Sequence, residues 1–306
     1  MSVLQHIEGD CVDSDSNPIE TIVIPRSTDI GGFEVHRALP SKDRQMVGPF
    51  IFWDQMGPGE FLTNQGVDVR PHPHIGLSTV TYLFKGSLDH KDSLGYDERI
   101  LPGDVNVMTA GSGIVHSERT GMDVRQQPSD LFGIQSWLAL PKNREEGQAS
   151  FDHTGKKDLP KMEYEGMRAR VIMGNLWGKS APAETFTDTL YVDIELEPNA
   201  VFELPSETEE RGVYVLNGEV EIAGVKHAPN QLLVFRPRDQ VVVKACGTNQ
   251  GPVRMMVMGG EAMDGPRHIF WNFVSSSRER IEQAKEDWRD GKFDTVKGDD
   301  EFIPLP

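Results

Sequence analysis

The sequence has few of the features that would tie a protein to a membrane, an oxidising compartment or a nucleic acid. Its two cysteines, Cys11 and Cys246, stand far apart and belong to no CxxC pattern. That spacing excludes a disulfide framework, so two free thiols in a reducing cytoplasm are expected. No apolar run approaches the length of a membrane span. The first residues, MSVLQHIEGDC, lack the basic and apolar regions of a secretory leader. Basic patches are missing too. The formal net charge is -17, which repels nucleic acid and anionic membranes, so any macromolecular partner is expected to be a protein. There is no GxSxG elbow, no phosphate loop and no dinucleotide fingerprint.

What remains is a strand-rich chain. Its 306 residues suffice for two domains, and 30 Gly and 20 Pro call for many turns. Short alternating or apolar segments recur, among them GLSTVTYLFKG (76–86), GDVNVMTAG (103–111), RGVYVLNGEVEIAG (211–224) and QLLVFRPRDQVVVKA (231–245). Each reads as a strand, and their spacing suggests barrels or sandwiches. A polar stretch, 141–166, separates a first domain, 1–140, from a second, 141–306. One helix is expected near 276–290, with Ser276 and Glu279 as a capping box and Gly291 as the stop.

The two domains repeat one another. TYLFKG (81–86) resembles VYVLNG (213–218) at an offset of 132, and LPGDVNVM (101–108) resembles APNQLLVF (228–235) at 127. The repeat acts as an internal control for the histidines of RPHPHIG. Offsetting His72 and His74 by 132 gives Leu204 and Ser206, while offsetting His116 and Glu118 by 127 gives Val243 and Ala245. The second unit keeps the strands without the polar groups, so the fold itself does not require them.

Side chains at i and i+2 of a strand share a face. His72-x-His74 and His116-x-Glu118 on facing strands would therefore surround one point with three imidazoles and a carboxylate. Pro73, which cannot donate to a ladder, suits an edge strand. Such an N/O site suits Fe²⁺ when positions stay open, and Mn²⁺, Co²⁺, Ni²⁺ or Cu²⁺ are chemically possible in the same cage. A lone HxH also occurs in polar loops; the second pair, the strand context and the empty second unit favour ligands. The other histidines, His6, His36, His90, His153, His227 and His268, lack this spacing and read as surface or satisfied core residues. Among them only His90 falls where it could approach the site.

These residues resemble a known family. Gly66-x5-His72-x-His74 matches the opening of the first cupin motif, and Gly111-x-Gly113-x-x-His116 resembles the second, with Gly111 at a common Pro position. The usual cupin glutamate is absent, since Ser78 and Thr79 stand there, and Glu118 takes over as the acid. That substitution resembles the pirin family. So do GPFIFWDQMGPGEF (48–61), the stretches 70–95 and 102–119, and PRHIFWNFVSSSRERIEQAKEDW (266–288), which together span nearly the whole chain. The resemblance implies an all-β bicupin, two antiparallel jelly-roll-like β-barrels with a short C-terminal helix. It also implies Fe²⁺ held in the N-terminal barrel alone by His72, His74, His116 and Glu118.

Some pirins open flavonols such as quercetin with O₂ and release CO. This implies a dioxygenase acting on an aromatic small molecule, with Glu118 as general base. Other pirins resemble redox-responsive iron-binding regulators that contact a protein partner. A further cupin reaction, on a sugar or a small acid, lacks the convergent Arg or Lys cluster that would hold the substrate. Arg70 and Arg119 are expected in surface salt bridges. Pocket access discriminates enzyme from regulator, and Phe52, Trp53 and Met108 are the expected apolar lining. A monomer is expected.

Overall fold

The computed structural model describes residues 17–29 and 33–306; His6, Cys11 and the N-terminal stretch that was compared with a leader lie outside them. Every ladder between the described strands is antiparallel, in two barrels each built from a large and a small sheet. In the first barrel a seven-stranded sheet runs in the order 150–154, 105–109, 77–85, 129–139, 50–61, 34–39, 26–29. It faces a four-stranded sheet of Asp68–His74, Ile114–Arg119, Leu88–Asp92 and Asp97–Ile100. The second barrel pairs an eight-stranded sheet with the four strands Val201–Leu204, Val241–Ala245, Val220–Ile222 and Val225–His227.

The large sheets pack back to back, so their strands are buried on both faces. Along Leu77–Lys85, Val80 and Tyr82 point to the partner sheet, whereas Thr81 and Leu83 point into their own barrel. Phe50, Trp53 and Tyr82 meet Tyr191, Tyr214 and Met256 at this interface. Ring centroids of Phe50 and Trp53 lie 5.3 and 5.5 Å from that of Tyr191. Fully burying each such side chain contributes roughly 1.5–3 kcal/mol. Two of the phenols that reach across find partners. Tyr82 donates to Asp193 at 2.8 Å, and Tyr214 donates to Gln55 at 3.0 Å.

The polar stretch 141–166 is more than a connection. Its strand Ser150–Thr154 completes the edge of the first barrel by pairing with Val105–Thr109. In return, Ile19–Val23 pairs with Gln231–Phe235 of the second barrel. The helix runs Arg278–Arg289, and its N-cap is Ser277, one residue later than the sequence suggests. Ser277 Oγ accepts from the Arg280 amide, while the Ser276 amide is already taken by Glu145. Gly291 adopts a φ of +66° just past the C-cap. Cys246 is a buried free thiol.

Candidate metal centre

Strand register brings the site together. Ile114–Arg119 lies between Asp68–His74, which is the edge strand as Pro73 requires, and Leu88–Asp92. His116 sits directly opposite His72 on one side and opposite Asp92 on the other. Directly opposed residues share a face, so His72, His74, His116, Glu118, His90 and Asp92 all point the same way. A register shift between His116 and Glu118 sets Glu118 opposite Val69 and His90. Two glycines close the turns behind these side chains. A Cβ on Gly76 (φ +67°) would stand 2.0 Å from the Val274 carbonyl oxygen, and one on Gly111 (φ +51°) 2.1 Å from that of Gly147. Neither approach tolerates a side chain.

The three imidazoles converge, with ligand nitrogens all within 4.8 Å of one another. All three are buried, His74 and His116 to 1 % exposure. Glu118 is not part of that triad but lines the same cavity, partly buried, with Oε1 3.2 Å from Thr81 Oγ1. A carbonyl can only accept, so the contacts of His72 Nδ1 with the Arg70 oxygen (2.9 Å) and of His74 Nδ1 with the Asn272 oxygen (3.2 Å) fix protons on both Nδ1 atoms. Their Nε2 lone pairs are left facing the centre. His74 Nε2 lies 3.1 Å from His116 Nε2, a contact that needs a proton or a cation between the nitrogens.

Burial, with neighbouring imidazoles as a secondary cause, holds His74 and His116 well below the usual histidine range. Burial also lowers His72 to about 4. All three are therefore neutral at pH 7, as metal ligands would have to be. Burial pushes Glu118 the other way, above the usual carboxylate range, against the opposing pull of His90 and Thr81. Three neutral imidazoles with fixed tautomers and a nearby carboxylate fit a first-row divalent cation.

The triad lines a cavity of about 510 Å³. Its walls include Phe33, Phe52, Met56, Trp137 and Trp271. Phe52 stacks on Trp137 at 3.9 Å, and Trp137 meets His74 edge-on at 5.2 Å. Arg37 lies 4.4 Å over Phe52 and forms two hydrogen bonds to Asp54, at 2.7 and 2.6 Å. Of the three expected lining residues only Phe52 lines the cavity. Trp53 follows it on the strand, so it faces the opposite side, and Met108 packs with Ile114 and Phe151. Arg119 is in salt bridges with Asp68, Asp299 and Glu301, whereas Arg70 stands at the cavity mouth.

His90 is more than a satisfied core residue. Buried at 4 % exposure, it places Nδ1 3.4 Å from His116 Nδ1 and Nε2 3.0 Å from Asp92 Oδ2. The signal was available in LDHKD, where His90-x-Asp92 has the same i, i+2 spacing as the expected ligand pairs. Among the described residues the second barrel has no counterpart. Phe202, Leu204, Val241 and Val243 fill its interior, and Phe202 rather than Leu204 stands opposite Val243. The two-residue displacement preserves the face, so the contrast drawn from the repeat survives.

A family profile described as Pirin matches residues 32–138, and one described as Pirin C-terminal cupin domain matches 191–294. A pirin-like protein of Caulobacter vibrioides is 46% identical over 94% of this chain and 99% of its own length. Human pirin is 30% identical over 90% of this chain and 94% of its own. Among solved structures, a quercetin 2,3-dioxygenase from Acinetobacter baumannii superposes with a TM-score of 0.85 at 30% identity, covering 94% of both chains. With both halves matched and the histidine triad set in the first of two antiparallel barrels, the chain belongs to the pirin family.

Proposed function

We propose that the protein is a metal-dependent dioxygenase that opens flavonols such as quercetin with O₂ and releases CO, using Fe²⁺ held by His72, His74, His116 and Glu118. The observation that carries this reading is the convergence of three neutral imidazoles at the wall of an apolar cavity of about 510 Å³. That volume lies in the range of small-molecule sites. The solved quercetin 2,3-dioxygenase of similar fold and 30% identity supports it.

When bound, the metal supplies Lewis acidity towards the flavonol 3-oxygen. The chain's own residues do the rest. Phe52, Trp137 and Trp271 offer flat apolar surface to the fused rings and exclude water. Glu118 takes the 3-hydroxyl proton, for which its burial-raised proton affinity suits it. The proton then has a defined place. Thr81 Oγ1 is 3.2 Å from Glu118 and 2.7 Å from Gln135 Oε1, so a protonated Glu118 donates to Thr81 while Thr81 donates to Gln135. Inside the cavity the charge of Arg37 is answered by Asp54, which leaves a wall suited to a neutral substrate better than to an acid. A redox-responsive regulator would not need so large an apolar chamber.

The test is anaerobic loading with Fe²⁺, then quercetin and O₂, following flavonol loss and CO release. The His116→Ala protein serves as control. Turnover that vanishes in the variant supports the reading. Wild-type protein that holds iron and leaves quercetin intact overturns it in favour of a regulator with a protein partner.

A further inference from the structure

We propose that the seam between the two barrels holds an anion site, built from Lys156, Lys161 and Arg170, for the phosphate group of a small metabolite. The site shares no lining residue with the metal cavity and stands or falls independently of the function proposed above. The cleft measures about 320 Å³, room for a small phosphorylated molecule. Leu83 and Gly103 of the first barrel form one wall, and the strands Lys161–Tyr164 and Met167–Leu176 of the second form the other. In a chain of formal net charge -17, this cleft is lined by more cations than carboxylates. The carboxylates are already engaged. Asp193 takes two hydrogen bonds from Arg254, at 2.8 and 2.5 Å, and a third from Tyr82. Glu195 pairs with Arg168 at 2.8 Å, and Glu163 stands opposite Arg168 on the neighbouring strand.

Three cations remain, and none of them has a carboxylate partner among the described residues. Arg170 donates from Nη1 to the Tyr82 hydroxyl at 3.0 Å, while its Nε is buried without a hydrogen-bond partner. An orphaned buried N–H costs free energy that a ligand oxygen would recover. Lys161 sits directly opposite Arg170 in the ladder, so two like charges share one face. Such a pair is unfavourable unless an anion joins it. Lys156 arrives from the segment that connects the barrels and meets Arg170 over Gly103. A Cβ on Gly103 would stand 2.8 Å from Lys156 Cδ and 2.9 Å from Arg170 Nη1, so both side chains close on a spot that only a glycine leaves open. The guanidinium is held by Tyr82 and offers a planar edge of donors, while the two lysines bring point charges on flexible stems. A phosphate monoester presents three acceptor oxygens, one for each cation. A carboxylate has two oxygens and a single charge, and leaves part of the cluster unanswered.

The test titrates the full-length protein with inorganic phosphate at constant ionic strength. Calorimetry follows the binding, and ¹H–¹⁵N NMR follows the Arg170 Nε–H resonance, assigned by its loss in Arg170→Lys. Saturable binding with a shift of that resonance is expected. Lys156→Gln and Lys161→Gln change exposed side chains and should each weaken binding several-fold. Their combination, and Arg170→Gln, should each weaken it by at least about tenfold. Arg170→Lys keeps the charge without the fork and should fall between. His116→Ala should bind phosphate as the wild type does. The proposal is overturned if phosphate does not bind below about 10 mM, or if the folded double lysine variant binds it undiminished. It is also overturned if binding disappears in His116→Ala and persists in Arg170→Gln, since the anion then sits at the metal centre. Malonate that displaces phosphate and binds more tightly would overturn the assignment to a phosphate group in favour of a dicarboxylate.

Discussion

In the metal-free protein, lowering the pH from about 7.5 to about 5.5 should destabilise the fold steeply, and the triad sets the size of the effect. In the unfolded chain each histidine takes up a proton as the pH falls through about 6.5. In the folded protein His72 resists until about 4, and His74 and His116 are held well below the usual value. The unfolded state therefore binds more protons across this window, and stability must fall as the pH falls. Each histidine that stays neutral when folded costs about 1.3 kcal/mol between the two pH values, whatever its folded pKa, provided that value lies below the window. Three histidines lose about 4 kcal/mol, a large share of the roughly 5–15 kcal/mol that holds a domain folded. Glu118 and Asp54 act in the opposite sense, because burial raises both and the folded state gains from protonating them. The share of His72 is isolated by difference. Urea unfolding in the presence of a chelator, at both pH values, should show a pH effect about 1.3 kcal/mol smaller in His72→Gln than in wild type. A difference below about 0.3 kcal/mol would mean that His72 protonates freely in the folded protein, and the account of a buried neutral triad would be wrong.

Three other outcomes follow from the same structure. His116→Ala should abolish tight metal binding while His153→Ala, an exposed residue bonded to Asn106 at the sheet edge, should not; equal metal content by elemental analysis would sink the ligand assignment. Tyr82→Phe removes a hydroxyl that donates to Asp193 and accepts from Arg170 at 3.0 Å. It should cost about 1.5–3 kcal/mol in chemical denaturation, and a neutral result would show that the barrel interface does not depend on that contact. Ser277→Ala should cost about 1 kcal/mol as a lost N-cap; no change in the thermal midpoint would return the cap to Ser276.

The fold and the triad were legible because both rest on a period of two. Alternation along RPHPHIG and GIVHSER sets which side chains share a face, and in a barrel the inward face is a single place. The helix was legible from its caps, though its start slipped by one residue because Glu145 claims the Ser276 amide from far along the chain. What the sequence concealed depends on pairing across long separations. Nothing local to FDHTG shows that it completes a barrel begun at Arg26–Asp29, or that Phe151 will brace His90. Trp53 was misplaced for a simpler reason. Neighbours on a strand face opposite ways, and with both faces buried the composition could not say which one was the cavity. Trp271 was missed as lining because it arrives from a hairpin, His268–Phe270 with Phe273–Ser275, far from the barrel in sequence.

The exchange of edge strands has a consequence for how the chain is made. The first barrel lacks its outer strand until residue 154 has been synthesised, and the second lacks one of its strands if the first two dozen residues are removed. Neither half is then a self-sufficient unit. A fragment ending at residue 140 would expose the backbone of Val105–Thr109 as an unpaired edge, open to the wrong partner. It would also lose the Asn272 carbonyl that holds His74. Cutting this protein at the apparent seam between its repeats would not release a small metalloprotein; it would leave a barrel with a seam of its own.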